Sequence, residues 1–333
     1  MKKRILVTGG AGYVGSALVP ALLARGYEVR VFDKLVFGEE GLAEVRDKVE
    51  LVTGDILNPP SSLVEGVSAV VHLAGLSTEP TSYVNPRVTD RINHLGTETI
   101  ARLAKEGGVK RLVFASSCSV YFTYDTTLVP PVYKETDRVN SISPYSLSKR
   151  AAEEALIELN DDRFTAIILR KGTIFGFAPK MRYDLVLNAF TRDAFSRRRI
   201  TVHSDGEIYR PLLDINSAVA AYIVALEAPK LRGAEIFNVL DVNTRIGDLA
   251  IEFAQLLKRT KNVDVAVEFQ PTGVARNYCA DGSKFKQIQD ATALRSRNDA
   301  VLEMWEKLES GHDFQNPRYY TDAWYSKYSS ERS

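Results

Sequence analysis

Only two cysteines, Cys118 and Cys279, occur in the 333 residues, and they lie far apart. A disulfide framework is therefore not indicated, and a reducing, cytoplasmic location is expected. An excess of one charge is missing too. Lys and Arg number 43 against 42 Asp and Glu, for a net +1, so nothing points to nucleic acid or an acidic membrane surface as a partner. No apolar run approaches the roughly 20 residues of a membrane span. The basic start, Met1-Lys2-Lys3-Arg4, leads into a short apolar run that ends in glycines. It reads as a first strand and not as a signal peptide. Internal repeats and low-complexity segments are absent, and no metal site is expected. The run Arg197-Arg198-Arg199 reads as a solvated helix end before it reads as a phosphate contact. What remains, 45% hydrophobic and 26% charged residues, is the composition of a soluble globular enzyme, with length for one large domain or two medium ones.

What is present is organised around Val7-Thr8-Gly9-Gly10-Ala11-Gly12-Tyr13-Val14-Gly15. The stretch follows the apolar run Ile5-Leu6-Val7 and precedes apolar residues at helical spacing, Val14, Leu18, Val19, Leu22 and Leu23. It reads as strand, tight turn, helix. Gly10-x-Gly12-x-x-Gly15 and Gly9-x-x-Gly12-x-x-Gly15 both fit a dinucleotide fingerprint. One glycine permits the turn, one lets the backbone approach a pyrophosphate, and one lets helix and strand pack closely. The pyrophosphate would then sit on the free N–H groups of the helix start, with Tyr13 and Val14 beside it. Another kind of Gly-rich βα turn is the competing reading, and the acid at the end of the second strand argues against it. That acid is Asp33, closing Tyr27 to Asp33. A carboxylate there accepts hydrogen bonds from ribose hydroxyls and repels a 2′-phosphate, which favours NAD over NADP. Lys34 follows directly and could instead accommodate the phosphate.

Further strands are expected at Val49 to Val52, Val67 to Leu73, Arg111 to Ala115 and Phe164 to Leu169. Asp55 and Ile56, after the third, could meet the adenine, although Asp after Gly is also an ordinary turn. Leu73, Ala74 and Gly75 are small enough at a strand end for backbone to approach a cofactor. Asn93 lies in the next helix, where an Asn more often points to solvent. Strands alternating with helices over the first 170 residues argue an α/β fold, a doubly wound parallel sheet of Rossmann type. The second half is less regular, with helices expected at Tyr183 to Ser196, Ala218 to Glu227 and Ile246 to Lys258. Short strands are expected at Ile200 to His203 and Ile236 to Val239. The tail, Phe314 to Tyr328, is rich in Tyr and Trp and is expected to pack on the body.

The sharpest chemical signal is Tyr145-x-x-x-Lys149. On a helix these side chains share one face. An ammonium near a phenol favours the phenolate and lowers its pKa from about 10, making it a base for a sugar or alcohol hydroxyl. Lys149 could also bond the nicotinamide ribose. Ser117, at the end of the fifth strand, would bond the same substrate oxygen. The three together make a hydride-transfer site in which the cofactor carries the hard chemistry. A chance, exposed Tyr/Lys pair is the bland alternative.

With these motifs, and with Gly54-Asp55-Ile56, His72-Leu73-Ala74-Gly75, Asn93-x-x-Gly96-Thr97, Ser116-Ser117-Cys118-Ser119-Val120-Tyr121 and Arg210-Pro211, the chain resembles the extended short-chain dehydrogenase/reductase family. Within it the likeness is to NAD-dependent nucleotide-sugar epimerases and dehydratases, over nearly the whole length. The resemblance implies Ser117, Tyr145 and Lys149 as catalytic residues, Ser116 beside the cofactor, and Ser117, Thr173, Asn188 and Arg210 on the nucleotide-sugar substrate. Arg210 suits a diphosphate because its fork offers two donors and a permanent charge. Asn188 reads equally as an ordinary helix residue. It also implies an NAD-binding domain, 1–175, to which 211–240 returns, a smaller substrate lobe from 176–210 and 241–333, and a homodimer.

Departures from the family pattern narrow the reaction. Family dehydratases carry an Asp-Glu pair after the catalytic Thr, where this chain has Cys118 and Ser119. Decarboxylases usually carry Glu in this stretch. The serine followed by small residues is closer to UDP-galactose 4-epimerase-like proteins. Phe122, Thr173, Asp214 and Ser217 depart from the usual residues, leaving the sugar and the nucleotide open. The reading is an NAD-dependent nucleotide-sugar 4-epimerase acting through a transient 4-keto sugar. A 4-keto-sugar reductase or a nucleotide-sugar dehydrogenase uses the same three residues and is the alternative. A non-catalytic NAD(P)-binding protein is a third.

Overall fold

The computed structural model describes residues 3–122, 129–229, 231, 233–270, 276–289 and 295–330. The strands run β1 (Arg4–Thr8), β2 (Glu28–Asp33), β3 (Glu50–Thr53), β4 (Val67–His72), β5 (Arg111–Ser117), β6 (Val132–Tyr133), β7 (Thr165–Lys171), β8 (Thr173–Phe175), β9 (Arg199–Val202), β10 (Tyr209–Asp214), β11 (Glu235–Val239), β12 (Val242–Arg245), β13 (Ala266–Phe269) and β14 (Cys279–Ala280). The helices are α1 (Tyr13–Ala24), α2 (Glu79–Val84), α3 (Pro86–Asp90), α4 (Gly96–Glu106), α5 (Pro144–Leu159), α6 (Val186–Arg197), α7 (Ile215–Glu227), α8 (Ile246–Lys261), α9 (Ser283–Lys286), α10 (Arg297–Glu309) and α11 (Thr321–Ser330). The segment between Phe122 and α5 contains β6, and its residues 123–128 lie outside the described residues.

Seven strands form one sheet in the order β11-β7-β5-β4-β1-β2-β3, and every neighbouring pair is parallel. This is the doubly wound α/β sheet. Alternation along each strand divides the core between two faces. Ile5, Val7, Val29, Val31, Val71 and Val113 pack with α1 and α7 on one side. Leu6, Phe32, Val70, Leu112 and Phe114 pack with α4 and α5 on the other. The order reverses between β1 and β4, and the crevice at the carboxyl ends of those strands is where such sheets bind ligands.

The second half builds three small sheets among the described residues, β12-β10-β8, β13-β9 and β14-β6. Residues 215–239 return to the large sheet, α7 against α1 and β11 beside β7, whereas β10 stays in the small sheet. Ahead of α11 and along it, the tail reaches both sides of the crevice. Trp324 Nε1 donates to the Val36 carbonyl at 2.6 Å, and Asp322 accepts from the Thr78 and Thr81 hydroxyls. No described helix is long and apolar enough to cross a membrane.

His72 closes β4 fully buried, its ring nitrogens on the Thr8 and Thr97 hydroxyls at 2.6 and 3.0 Å. Burial, with help from Lys149, lowers its pKa to about 3. Below about pH 6.5 the unfolded chain takes a proton here that the folded chain refuses, so stability falls with pH. A stability–pH curve should steepen by up to about 1.4 kcal/mol per pH unit between pH 6 and 4. A His72→Gln variant should lose that increment, and an equal slope in both proteins would contradict the account.

Candidate active site

The glycine turn makes the floor of the crevice. Gly9 has φ +72°, and a Cβ on it would lie 2.6 Å from the Ala74 nitrogen. A Cβ on Gly15 would lie 2.5 Å from Gly10 Cα, so helix and turn touch backbone to backbone. A Gly15→Ala chain must push backbone apart, at a cost of about 1–3 kcal/mol. We expect it to melt earlier and to bind NAD at least about tenfold more weakly. Unchanged melting and copurified nucleotide would refute this.

A single cavity of about 670 Å³ runs from this turn across the carboxyl ends of the strands. At one end stand Gly9, Gly12, Tyr13, Val14 and Gly15, with Asp33, Lys34, Asp55 and Ile56 beyond them. Asp33 Oδ2 and Oδ1 accept from the Ala11 and Leu35 N–H groups at 3.0 and 2.8 Å. Burial nonetheless holds its carboxyl above the ordinary range. Each of its oxygens keeps acceptor capacity for a ribose hydroxyl. Lys34 Nζ is paired with Asp55 Oδ2 at 2.7 Å, half-exposed on the rim. Leu73, Ala74 and Gly75 form the next stretch of wall, and Ser116, Ser117 and Tyr145 the one after it.

The catalytic candidates come together. The Ser143 side chain caps α5 with a reciprocal bond to Ser146, and Pro144 opens the helix. That start places Tyr145 against the end of β5, where its phenol and the Ser117 hydroxyl share one stretch of cavity wall and the hydroxyl draws the phenol's pKa down. Lys149 corrects one expectation. Its Nζ donates to the Ala115 carbonyl at 3.0 Å and stands 4.8 Å from the Phe114 ring centre. Burial lowers its own pKa to about 8. The Tyr145 phenol is not lowered either. Burial pushes it up to about 12, against the pull of the Ser117 hydroxyl and the Arg182 charge, and Lys149 itself is not in the cavity wall.

Two further expectations change. Asn93 is not in the cavity wall. Fully buried in the π-helical turn Arg91–Leu95, it bonds the Leu76 N–H and carbonyl at 2.8 and 2.9 Å and Ser148 Oγ at 3.0 Å. It ties the Gly75 loop to α5, with all its donors and acceptors turned inward. Asn188 is not in the wall either. Its Oδ1 accepts from Gly176 N at 3.0 Å, and its Nδ2 donates to the Tyr13 hydroxyl and the Arg182 carbonyl. Both residues position the wall from behind. Ser116 lines the cavity but gives its hydroxyl to Glu153.

Thr173 and Arg210 do line the cavity. Arg210 is buried against the Tyr278 ring, 5.1 Å away, and donates to the Tyr209 carbonyl. Burial lowers its pKa to about 10, so it is charged at neutral pH. Sequence reasoning missed its companions. Lys180 stands on the Phe37 ring at 4.5 Å, its pKa brought to about 7 by burial with Arg182 nearby. Arg182 is paired with Asp184 at 2.7 Å and donates to Ser77 Oγ. Lys171, Glu79, Arg276 and Tyr278 complete this end. The only available signal was the run Lys180-Met181-Arg182, which has no periodicity. Cationic donors converging on one cleft, next to a glycine turn with no room for side chains, fit a dinucleotide and a second diphosphate. Among the described residues no group of His, Cys, Asp and Glu could hold a metal ion.

Residues 5–239 match the model of the NAD dependent epimerase/dehydratase family. The chain is 28% identical to the putative UDP-arabinose 4-epimerase 2 of Arabidopsis thaliana, over 91% of this chain and 80% of that protein. It is 29% identical to UDP-glucuronic acid decarboxylase 1 of Danio rerio, over 81% of this chain and 63% of that one. Its fold matches the UDP-glucuronic acid 4-epimerase of Bacillus cereus, solved with UDP-glucuronic acid and NAD. The TM-score there is 0.81 at 22% identity, covering 92% of this chain and 99% of that one. With seven-tenths of its length matched by the family model and the glycine turn, Asp33 and the Ser117–Tyr145 pair in one crevice, the chain belongs to the NAD dependent epimerase/dehydratase family.

Proposed function

We propose that the protein is an NAD-dependent nucleotide-sugar 4-epimerase. The observation that carries the reading is that Ser117 and Tyr145 share one cavity wall while the two residues after Ser117, Cys118 and Ser119, hold no carboxylate. Cys118 is fully buried with its thiol pushed well above the ordinary range, and its Sγ bonds the Arg170 carbonyl. Ser119 Oγ is buried without a hydrogen-bond partner among the described residues. Neither can move a proton to or from a sugar, which disfavours loss of water.

Bound NAD⁺ supplies a hydride acceptor that later returns the hydride, and a positive ring that favours a phenolate nearby. Tyr145 removes the proton of the sugar's C4 hydroxyl as C4 is oxidised, and gives it back after the keto sugar has turned over. Ser117 holds the same oxygen. Lys149, fixed on the Ala115 carbonyl beneath the site, adds positive charge and a donor toward the nicotinamide ribose. Asp33 takes the adenosine ribose hydroxyls, which selects NAD over NADP. Arg210 and Arg182 take diphosphate oxygens. The relatives named as 4-epimerases support the reaction class. Unfolding the purified protein and identifying what is released tests the cofactor assignment. Near-stoichiometric NAD⁺ or NADH is expected, and a site that only exchanges NADPH with solution would overturn it.

We read 1–175 with most of 211–240 as the cofactor domain and the remainder as the substrate lobe, in a cytoplasmic homodimer. Exposed Leu95, Leu147 and Ile157, on or beside α4 and α5, support the dimer. Light scattering at micromolar concentration should give twice the chain mass, and Leu147→Glu should lower it. A wild-type chain at its single mass would contradict the dimer.

A further inference from the structure

Glu79 is a buried charge that the reaction above leaves without a role. It opens α2 directly after the Thr78 cap and is 6% exposed. Among the described residues neither of its carboxylate oxygens has a hydrogen-bond partner. Arg276 Nη1 stands 3.6 Å from Oε1, an ion pair too long for a hydrogen bond. The residue belongs to the same cavity wall as Ser117, Tyr145, Arg210 and Tyr278. Its charge acts on three of them, Tyr145, Arg210 and Tyr278. A buried carboxylate ordinarily has its lone pairs filled, because empty ones forfeit hydration for nothing. Both oxygens are covered in this structure, and a turn of the side chain into the cavity that the residue lines would offer two unfilled acceptors to a ligand that brings donors.

Resting on the nucleotide-sugar reading, we propose that Glu79 accepts hydrogen bonds from ring hydroxyls of the sugar beside the carbon that Tyr145 serves. This makes the site selective for neutral sugars over uronates. An ionised carboxylate is an acceptor only, with two oxygens, and so matches a pair of neighbouring hydroxyls. A sugar carboxylate in that place would set two like charges together in a low dielectric. Of the cations that hold the diphosphate, Arg210 feels the Glu79 charge, but neither it nor Arg182 is hydrogen-bonded to it. Arg210 turns its Nη1 to the Tyr209 carbonyl, and Arg182 is engaged by Asp184. Glu79 is thus a specificity residue, and removing its charge changes which sugar is held while leaving the nucleotide in place.

The test is calorimetric and uses NAD⁺-loaded protein. UDP, dTDP and GDP are titrated first, and the tightest sets the nucleotide. Its hexose and hexuronate esters are then compared in wild type, Glu79→Gln and Glu79→Asp, with melting curves to show that each folds. The wild type should favour the hexose ester about tenfold or more. Glu79→Gln should bring that ratio within about twofold while the diphosphate alone binds no more weakly, and Glu79→Asp should keep part of the preference. The rate–pH profile of Glu79→Gln should also shift to lower pH, because the charge that opposes the Tyr145 phenolate is gone. If the diphosphates bind and Glu79→Gln leaves the hexose-to-uronate ratio unchanged, the assignment is overturned. If none binds, the nucleotide-sugar reading fails first and this one with it. A Glu79→Gln protein that keeps the ratio and loses turnover would make Glu79 a proton-transfer group instead, and would equally overturn it.

Discussion

A Tyr145→Phe enzyme should keep its NAD and bind substrate within a fewfold of wild type, yet lose about 10²–10⁴ in kcat. The substitution removes one oxygen from a fully packed position and leaves the ring in place. Tyr145 is 9% exposed at the cavity wall it shares with Ser117, with its pKa pushed up to about 12 by burial. The phenolate is the active form, so the wild-type rate should rise with pH below that titration and the Phe variant should lack the rise. Ser117→Ala removes the hydroxyl that draws the phenol's pKa down, and should move the rise to higher pH. A Phe variant within tenfold of wild-type kcat, with the same pH profile, would remove Tyr145 from the reaction.

The largest stability effect should come from Arg170→Ala. Arg170 and Glu153 meet at 2.6 Å with side chains 5% and 3% exposed. The guanidinium also donates from Nε to both carboxylate oxygens and from Nη1 to the Tyr121 hydroxyl at 2.8 Å. Tyr121 in turn donates to Asn238 Oδ1, and Ser116 Oγ closes the group on Glu153. Removing the arginine leaves a carboxylate buried with its charge unpaired, which costs about 3–5 kcal/mol. A double variant, Arg170→Met with Glu153→Leu, should recover most of that loss, because the pair itself contributes little beyond its own desolvation. Chemical denaturation of the set measures both. An Arg170→Ala protein as stable as wild type would show that the network carries no such cost. Since Ser116 adjoins Ser117, the same single variant should also slow turnover.

The parts of the site that were legible are those whose chemistry is local in sequence. The glycine turn, Asp33 at the end of β2, and Tyr145 with Lys149 on one helix are each set by spacing along a single element. The parallel sheet was legible for the same reason, since each strand is an apolar run bounded by turns. Asn93 and Asn188 were not, because spacing does not say whether a helical amide faces a cavity or the neighbouring backbone. Both face backbone. Glu79 and Arg182 were illegible because only tertiary folding brings them beside Tyr145, and Lys180 because only folding brings it near Asp33. Strands β8, β10 and β12 were missed because they are three to six residues long and pair in a mixed sheet with little alternation. The phenol's pKa was misjudged in direction because sequence shows the neighbouring ammonium and hides the burial.

The most direct test of the central claim follows the C4 hydrogen. NAD⁺-loaded protein is given UDP-, dTDP-, GDP- and CDP-sugars deuterated at C4, in ordinary water, and the products are read by NMR. The account predicts that one family of sugars is inverted at C4 with the deuterium retained and with no net change in NADH, because the hydride leaves and returns within one site. If every sugar is unchanged, or if product forms only with stoichiometric oxidation or reduction of the nucleotide, the epimerase reading is contradicted.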